Sequence, residues 1–161
     1  MQLSKRLQAV ANFVTKGNTV ADIGTDHGYI PIYLCEEGIT PRAIAMDINQ
    51  GPLKRAEENI QLHGLNNRIT TRLSDGVTAL SKEESDTVII AGMGGGLVKK
   101  ILSEGTEVLK SVKEFVLQPQ SELKEVREFL RENHYCIIDE DMVLDGGKYY
   151  PIMKVVHGIM D

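Results

Sequence analysis

The chain has 161 residues, enough for the core of one domain. Hydrophobic residues make up 42%, which excludes a disordered chain, and no apolar run reaches membrane-spanning length. The net charge of −5 argues against a broad nucleic-acid footprint, while leaving room for a local basic patch.

Leu3, Leu7, Val10, Ala11 and Val14 recur at helical spacing and predict an amphipathic helix over residues 3 to 15, ended by Gly17 and Asn18. The amphipathic start has no signal-peptide layout, and Cys35 and Cys136 lie far apart, outside any C-x-x-C pair. A reducing cytoplasm is expected, with no disulfide scaffold and no metal site. Lys5 and Arg6 fall on the polar face of this first helix. A solvated face explains them slightly better than a contact to a substrate phosphate.

Thr19 to Ile23 reads as an apolar strand, followed by a loop with Gly24 and Gly28 and a helix from Tyr29 to Glu37 carrying Pro31 in its first turn. A strand, a glycine loop and a helix start form a nucleotide-type site, because bare backbone and free N–H groups can approach a ligand there. A dinucleotide fingerprint would place glycine, not an acid, beside the pyrophosphate. Here Asp26 puts a negative charge at that point, where like charges repel. S-adenosylmethionine carries a sulfonium and an ammonium group and no phosphate, so an aspartate is acceptable beside it.

Arg42 to Asp47 is a second strand ending in an acid about twenty residues after Gly24, the spacing of a ribose-binding carboxylate. Capping the helix that Gly51-Pro52 opens is the weaker reading of Asp47. A helix follows over Pro52–His63, then a strand over Arg68–Leu73 and Ser74-Asp75-Gly76. Asp75 suits either an adenine amine or an Asp-Gly turn, about evenly. Asp86 to Ala91 is a buried strand running into Gly92-Met-Gly-Gly-Gly96 and a helix over Leu97–Lys110. Such a concentration of glycine reads as the floor of a substrate pocket rather than a loose turn. Glu114 to Gln118 is a fifth strand, and Ser121 is placed to cap a helix over Glu122–Glu132. Tyr135–Leu144 and Lys148–Val156, joined by Asp145-Gly-Gly, predict a terminal hairpin.

This order predicts a doubly wound α/β domain, Rossmann-like, with a seven-stranded, mostly parallel sheet. A single domain spans residues 1–161: an N-terminal helix (1–16), alternating strands and helices (17–133) and the hairpin (134–156). The D-x-G-x-x-x-G pattern of Asp22, Gly24 and Gly28 resembles the first motif of class I methyltransferases. Residues 22–31 (DIGTDHGYIP), 90–95 (IAGMGG) and 117–120 (LQPQ) together resemble the bacterial tRNA adenine-N1 methyltransferases that modify position 22, in the D arm.

The resemblance covers essentially the whole chain and implies S-adenosylmethionine as methyl donor and tRNA as acceptor. On it, Asp22, Gly24, Thr25, Gly28, Asp47, Ile48, Asp75, Gly76 and Ala91 are expected to bind the cofactor. Tyr29, Gly92, Gly94, Gln118, Lys5 and Arg6 are expected on the substrate side. Asp26, His27 and Met93 are candidates for orienting the reacting base, with His27 as a plain loop histidine nearly as good a reading. The loop after the fourth strand lacks the (Asp/Asn)-Pro-Pro-aromatic pattern of enzymes acting on exocyclic adenine amines. Adenine N1 already has an in-plane lone pair, so placement and exclusion of water are expected to suffice. The family continues into a helical extension absent from these 161 residues, so a monomer that binds tRNA weakly on its own is expected. Three other readings stay open: a class I methyltransferase on another acceptor, an NAD-type oxidoreductase, and a non-catalytic methyltransferase-like binding module. Asp26 argues against the oxidoreductase, and the retention of Asp47 and Asp75 against the module.

Overall fold

The computed structural model describes residues 1–160. In chain order the elements are α1 (Lys5–Asn12), β1 (Val20–Ile23), α2 (Tyr29–Glu36), β2 (Ala43–Asp47), α3 (Gln50–Leu62), β3 (Ile69–Leu73), β4 (Thr87–Met93), α4 (Gly95–Glu104), α5 (Thr106–Leu109), β5 (Glu114–Pro119), α6 (Leu123–Glu132), β6 (Tyr135–Asp145) and β7 (Lys148–His157). The strands form one sheet in the order β3-β2-β1-β4-β5-β7-β6. β1 to β5 run parallel, and β7 runs antiparallel to both β5 and β6.

A parallel sheet is covered on both faces, which is why its strands read as unbroken apolar runs. Side chains of successive residues alternate between the faces. Val88 and Ile90 of β4 join Phe115, Leu117, Val98, Leu102, Val126 and Leu130 under α4 and α6. Ile89 joins Val116, Ala45, Val10, Ile32 and Ile60 under α1, α2 and α3. The strand order reverses between β1 and β4, so the crevice outside their carboxyl ends is the natural ligand position.

Three local expectations change. The single helix over 97–110 is two, α4 and α5, broken at Gly105, where a Cβ would collide with Val77 and press on the Leu109 side chain. Ser121 does not cap α6, which starts from Glu122 in the left-handed region (φ 52°). Its hydroxyl instead accepts from the Gly95 N–H at 3.1 Å, capping α4 from a distant loop. The first helix ends at Asn12, earlier than its apolar pattern. The hairpin forms as expected, its turn made by Gly146 and Gly147 at φ 60° and 82°, the double positive pair such turns require.

The segment leaving α1 is tied to the sheet by one buried carboxylate. Glu114 accepts from the Thr15 N–H at 2.8 Å, the Thr15 hydroxyl at 2.6 Å and the Thr87 hydroxyl at 2.8 Å, with Lys154 Nζ 3.4 Å away. Burial pushes this carboxyl up, but the threonine hydrogen bonds and Lys154 outweigh it and hold it below its ordinary 4.5. An acid with a depressed folded-state pKa stabilises the fold above its unfolded pKa and loses that contribution as pH falls through the folded value. Glu114→Gln is therefore expected to cost about 1–3 kcal/mol at pH 7. Urea unfolding should show the gap between variant and parent closing as pH drops below 4.5; a gap independent of pH would mean that the charge contributes nothing.

Candidate functional site

The glycine loop after β1 is held by its neighbour strand. The N–H groups of Gly24 and Thr25 both donate to the Met46 carbonyl, at 2.9 and 2.8 Å. The Asp47 carboxylate accepts from the Asp26 N–H at 3.3 Å and the Asn49 N–H at 3.0 Å. Asp47 thus closes the loop as well as ending β2, and it is 8% exposed. Gly28 begins α2 in the left-handed region (φ 75°), with a Cβ position only 3.3 Å from Ala56, so no other residue fits there without strain. Asn59 donates to the His27 carbonyl at 2.9 Å and pins the far end of the loop on α3.

Asp26 sits at the loop's crest (φ 55°), its side chain 64% exposed, 3.2 Å from His27 Nδ1 and 3.9 Å from Arg55. The His27 and Tyr29 rings stack in parallel, 5.0 Å apart. Below them is a cavity of about 70 Å³ lined by Arg6, Asp22, Gly24, Thr25, His27 and Tyr29, among others. Asp22 is buried, and burial raises its carboxyl to about 7, with the Asp47 charge adding to the rise. The buried Thr25 hydroxyl pulls the other way, and Arg6 less so; the hydroxyl lies near the carboxylate without reaching full hydrogen-bonding distance. A buried orphan hydroxyl beside a carboxylate marks a place where a polar ligand group belongs.

Arg6 reaches this cavity from α1. Its Nη1 donates to Gln118 Oε1 at 3.0 Å, its guanidinium lies 5.7 Å from the Tyr150 ring centroid, and its own N–H donates to Asp145 at 3.1 Å. The solvated-face reading therefore fails for Arg6. Lys5 remains exposed. Gln118 is fully buried, and the same Oε1 accepts from the Gly92 N–H at 3.0 Å. It reaches the cavity through Arg6. Its Nε2 has no partner among the described residues.

Beyond Ala91 the β4–β5 register shifts: Gly92 is lifted out of the ladder, and Met93 pairs with Pro119. Met93 Cε stands 2.6 Å from where a Cβ on Gly24 would be, so the two glycine loops touch. Gly95 and Gly96 belong to the first turn of α4 and pack against Ser121 and Glu122; their small size serves that packing. Gly92 and Gly94 are exposed, next to Ala91, which lines the cavity.

A second cavity, of about 190 Å³, opens beside Asp75 and Gly76 and includes Val77, Leu97, Lys100 and Ile101. Leu97 is 46% exposed, and Ile48, next to Asp47, is 59% exposed. Large apolar side chains left open next to carboxylates suit a flat aromatic ring carrying an amine. Leu97 was not among the sequence candidates; its only signal was an apolar residue on the outward face at a helix start.

Asp22, Asp47 and Asp75 thus line one edge of the sheet, at the carboxyl ends of β1, β2 and just after β3. Three carboxylates match an ammonium group, a ribose diol and an adenine amine, and repel a pyrophosphate. Among the described residues no group of three or more His, Cys, Asp and Glu side chains is placed to hold a metal ion, and no helix is long and apolar enough to cross a membrane.

Residues 3–153 match the family model described as a methyltransferase domain. The Bacillus subtilis tRNA (adenine(22)-N(1))-methyltransferase is 38% identical over 161 residues, all of this chain and 68% of that protein. The crystal structure of the B. subtilis M1A22 tRNA methyltransferase covers 98% of this chain and 68% of its own, with a TM-score of 0.94. A Mycoplasma capricolum homologue, solved with the cofactor product S-adenosyl-homocysteine, is 31% identical, with a TM-score of 0.90 over 99% of this chain and 70% of its own. Sequence and fold agree along the chain's whole length: it belongs to the family of tRNA (adenine(22)-N(1))-methyltransferases.

Proposed function

We propose that this chain transfers a methyl group from S-adenosylmethionine to N1 of an adenine in tRNA, at position 22 as in the B. subtilis relative. The observation that carries the cofactor half is the row of Asp22, Asp47 and Asp75 along one sheet edge, beside the buried unpartnered Thr25 hydroxyl. Asp22 takes the ammonium group, Asp47 the ribose hydroxyls, and Asp75 the adenine amine between the apolar faces of Ile48 and Leu97. When bound, S-adenosylmethionine supplies an electrophilic methyl group on a sulfonium centre.

The acceptor half rests on the loop Ala91-Gly-Met-Gly94. It offers bare backbone and a flexible methionine where amine-modifying enzymes carry prolines and an aromatic ring. Adenine N1 attacks with its own lone pair, so no proton has to leave before the N–C bond forms. The chain's contribution is placement: Gly92, fixed by Gln118, leaves room for the base, while Met93 and the stacked His27–Tyr29 pair shield the reacting centre from water. The product base is cationic, and the exposed Asp26 carboxylate stands at the mouth of the site to balance it.

The activity is tested by incubating the chain with isotope-labelled S-adenosylmethionine and unmodified tRNA and identifying the nucleoside by mass. 1-Methyladenosine is expected; labelled N6-methyladenosine, or no labelled nucleoside, would overturn the acceptor assignment. Asp47→Ala should weaken S-adenosylmethionine binding by about 2–3 kcal/mol, the loss of a charge-assisted hydrogen-bond pair, while circular dichroism shows the fold intact. Unchanged affinity in calorimetry would remove the ribose role.

Cofactor affinity should also depend on pH. Asp22 holds an ammonium group only when ionised, and its carboxyl titrates at about 7 in the free protein. A bound cation lowers that value, so affinity rises with pH through 7 and falls below it. Calorimetry at several pH values should show this slope in the parent and a flat profile in Asp22→Asn.

A further inference from the structure

A glutamine left open after a strand is ordinary. Gln120 is set apart by what holds it. Its N–H donates to the Met93 carbonyl at 2.8 Å, one residue past the point where Pro119 pairs with Met93. Its backbone is thus fastened to the loop after β4. Its side chain is exposed, and its carboxamide has no hydrogen-bond partner among the described residues.

Gln118 lies two positions earlier, so both side chains leave this strand on one side of the sheet. A Cβ on Gly92 would stand 3.4 Å from Arg6 Nη1 and 4.0 Å from Gln120 Nε2. Gly92, at φ 74°, carries no side chain, so that space stays open with a free carboxamide at its rim. Next to it Gln118 is fully buried: its oxygen accepts from Arg6 and from the Gly92 N–H, while its Nε2 has no partner. A buried donor without an acceptor points to a polar ligand group nearby.

An adenine entering this space must keep N1 clear for the methyl group. The edge left for the protein to hold is the N6 amine, a donor, with N7, an acceptor. A carboxamide offers the complementary pair in one plane, its oxygen to the amine and its nitrogen to N7. Guanine presents two acceptors on the same edge, O6 and N7, so the carboxamide oxygen would face O6 unmatched. A phosphate is the poorer occupant, because an uncharged amide gives it one donating end and turns an oxygen toward it.

We propose that Gln120 selects adenine as the acceptor base, taking the N6 amine on its Oε1 and N7 on its Nε2 while N1 stays open to the methyl donor. This rests on the acceptor reading above. Gln118 and Arg6 act one step away: they fix Gly92, the floor on which the base lies.

The experiment compares kcat/KM on ordinary tRNA and on tRNA with 7-deazaadenine at the target position, for the parent, Gln120→Ala and Gln120→Glu. The deaza ring keeps N1 and the amine but has a C–H in place of N7. That exchange alters the reactivity of N1 itself, so the readout is the ratio of the two rates, compared between variants. From parent to Gln120→Ala the preference for ordinary adenine should fall about tenfold. In Gln120→Glu it should fall further, because a second carboxylate oxygen opposes the N7 lone pair. Affinity for S-adenosylmethionine in calorimetry and Tm should stay at the parent's values, since the side chain is exposed and the N–H to Met93 persists in every variant. An unchanged ratio in Gln120→Ala, whether or not its activity falls, overturns the inference. A parent chain that forms no 1-methyladenosine on ordinary tRNA would instead refute the acceptor reading, and the inference would fall with it.

Discussion

Two negative charges held near each other define this molecule. Asp22 lies one residue before the end of β1 and Asp47 ends the adjacent parallel strand β2; burial first, and then the Asp47 charge, raise the cost of ionising Asp22. What keeps them in place is backbone: the Met46 carbonyl takes the N–H groups of Gly24 and Thr25, and the Asp47 carboxylate takes those of Asp26 and Asn49. A folded domain tolerates such crowding when a ligand supplies the missing positive charge. The Asp22 carboxyl, raised by burial and further by the Asp47 charge, is the cost carried by the protein without that ligand.

Around this acidic edge the fold arranges opposite materials. Apolar side chains that elsewhere would be buried, Ile48 and Leu97, are left open beside carboxylates. Glycines that would loosen a helix, Gly95 and Gly96, are used where another segment's backbone presses on α4. The β4 loop is positioned by residues of β5 and the turn after it: Gln118 holds Gly92, Gln120 donates to the Met93 carbonyl, and Ser121 caps Gly95. One short stretch, 118–121, therefore shapes the loop after β4.

Most of the architecture was legible in the sequence because its causes are local. Val88 to Ile90 is apolar on both faces, as a central parallel strand must be, and the Gly146-Gly147 pair announces its turn. The place of Asp47 at the end of β2 was legible from the strand pattern. The misses have non-local causes. Arg6 looked solvated because a helix face is judged from its own residues, whereas its partners Gln118, Asp145 and Tyr150 lie more than a hundred positions away. Ser121 looked like a cap for the helix that follows it, and its acceptor role belongs to a helix that precedes it. The need for a residue without Cβ at 105 comes from Val77, which no periodicity within 97–110 could reveal. The match of the whole chain to tRNA (adenine(22)-N(1))-methyltransferases supplied the acceptor, which site geometry alone leaves general.

The hydrogen bond from the Arg6 N–H to Asp145 spans 139 positions of sequence. It caps the first helix with a residue from the last hairpin, and it has a consequence for the order of events as the chain is made. A ribosome delivers the N-terminus first. The glycine loop, β2 and β4 can assemble as they emerge, but α1 waits with its guanidinium unplaced until β5 brings Gln118 and the hairpin brings Asp145 and Tyr150. Closing so long a loop comes late, because its entropy must be met before the contact rewards it. Nascent chains thus hold most of a sheet well before they hold a finished pocket, and the pocket is finished by the two ends of the domain meeting.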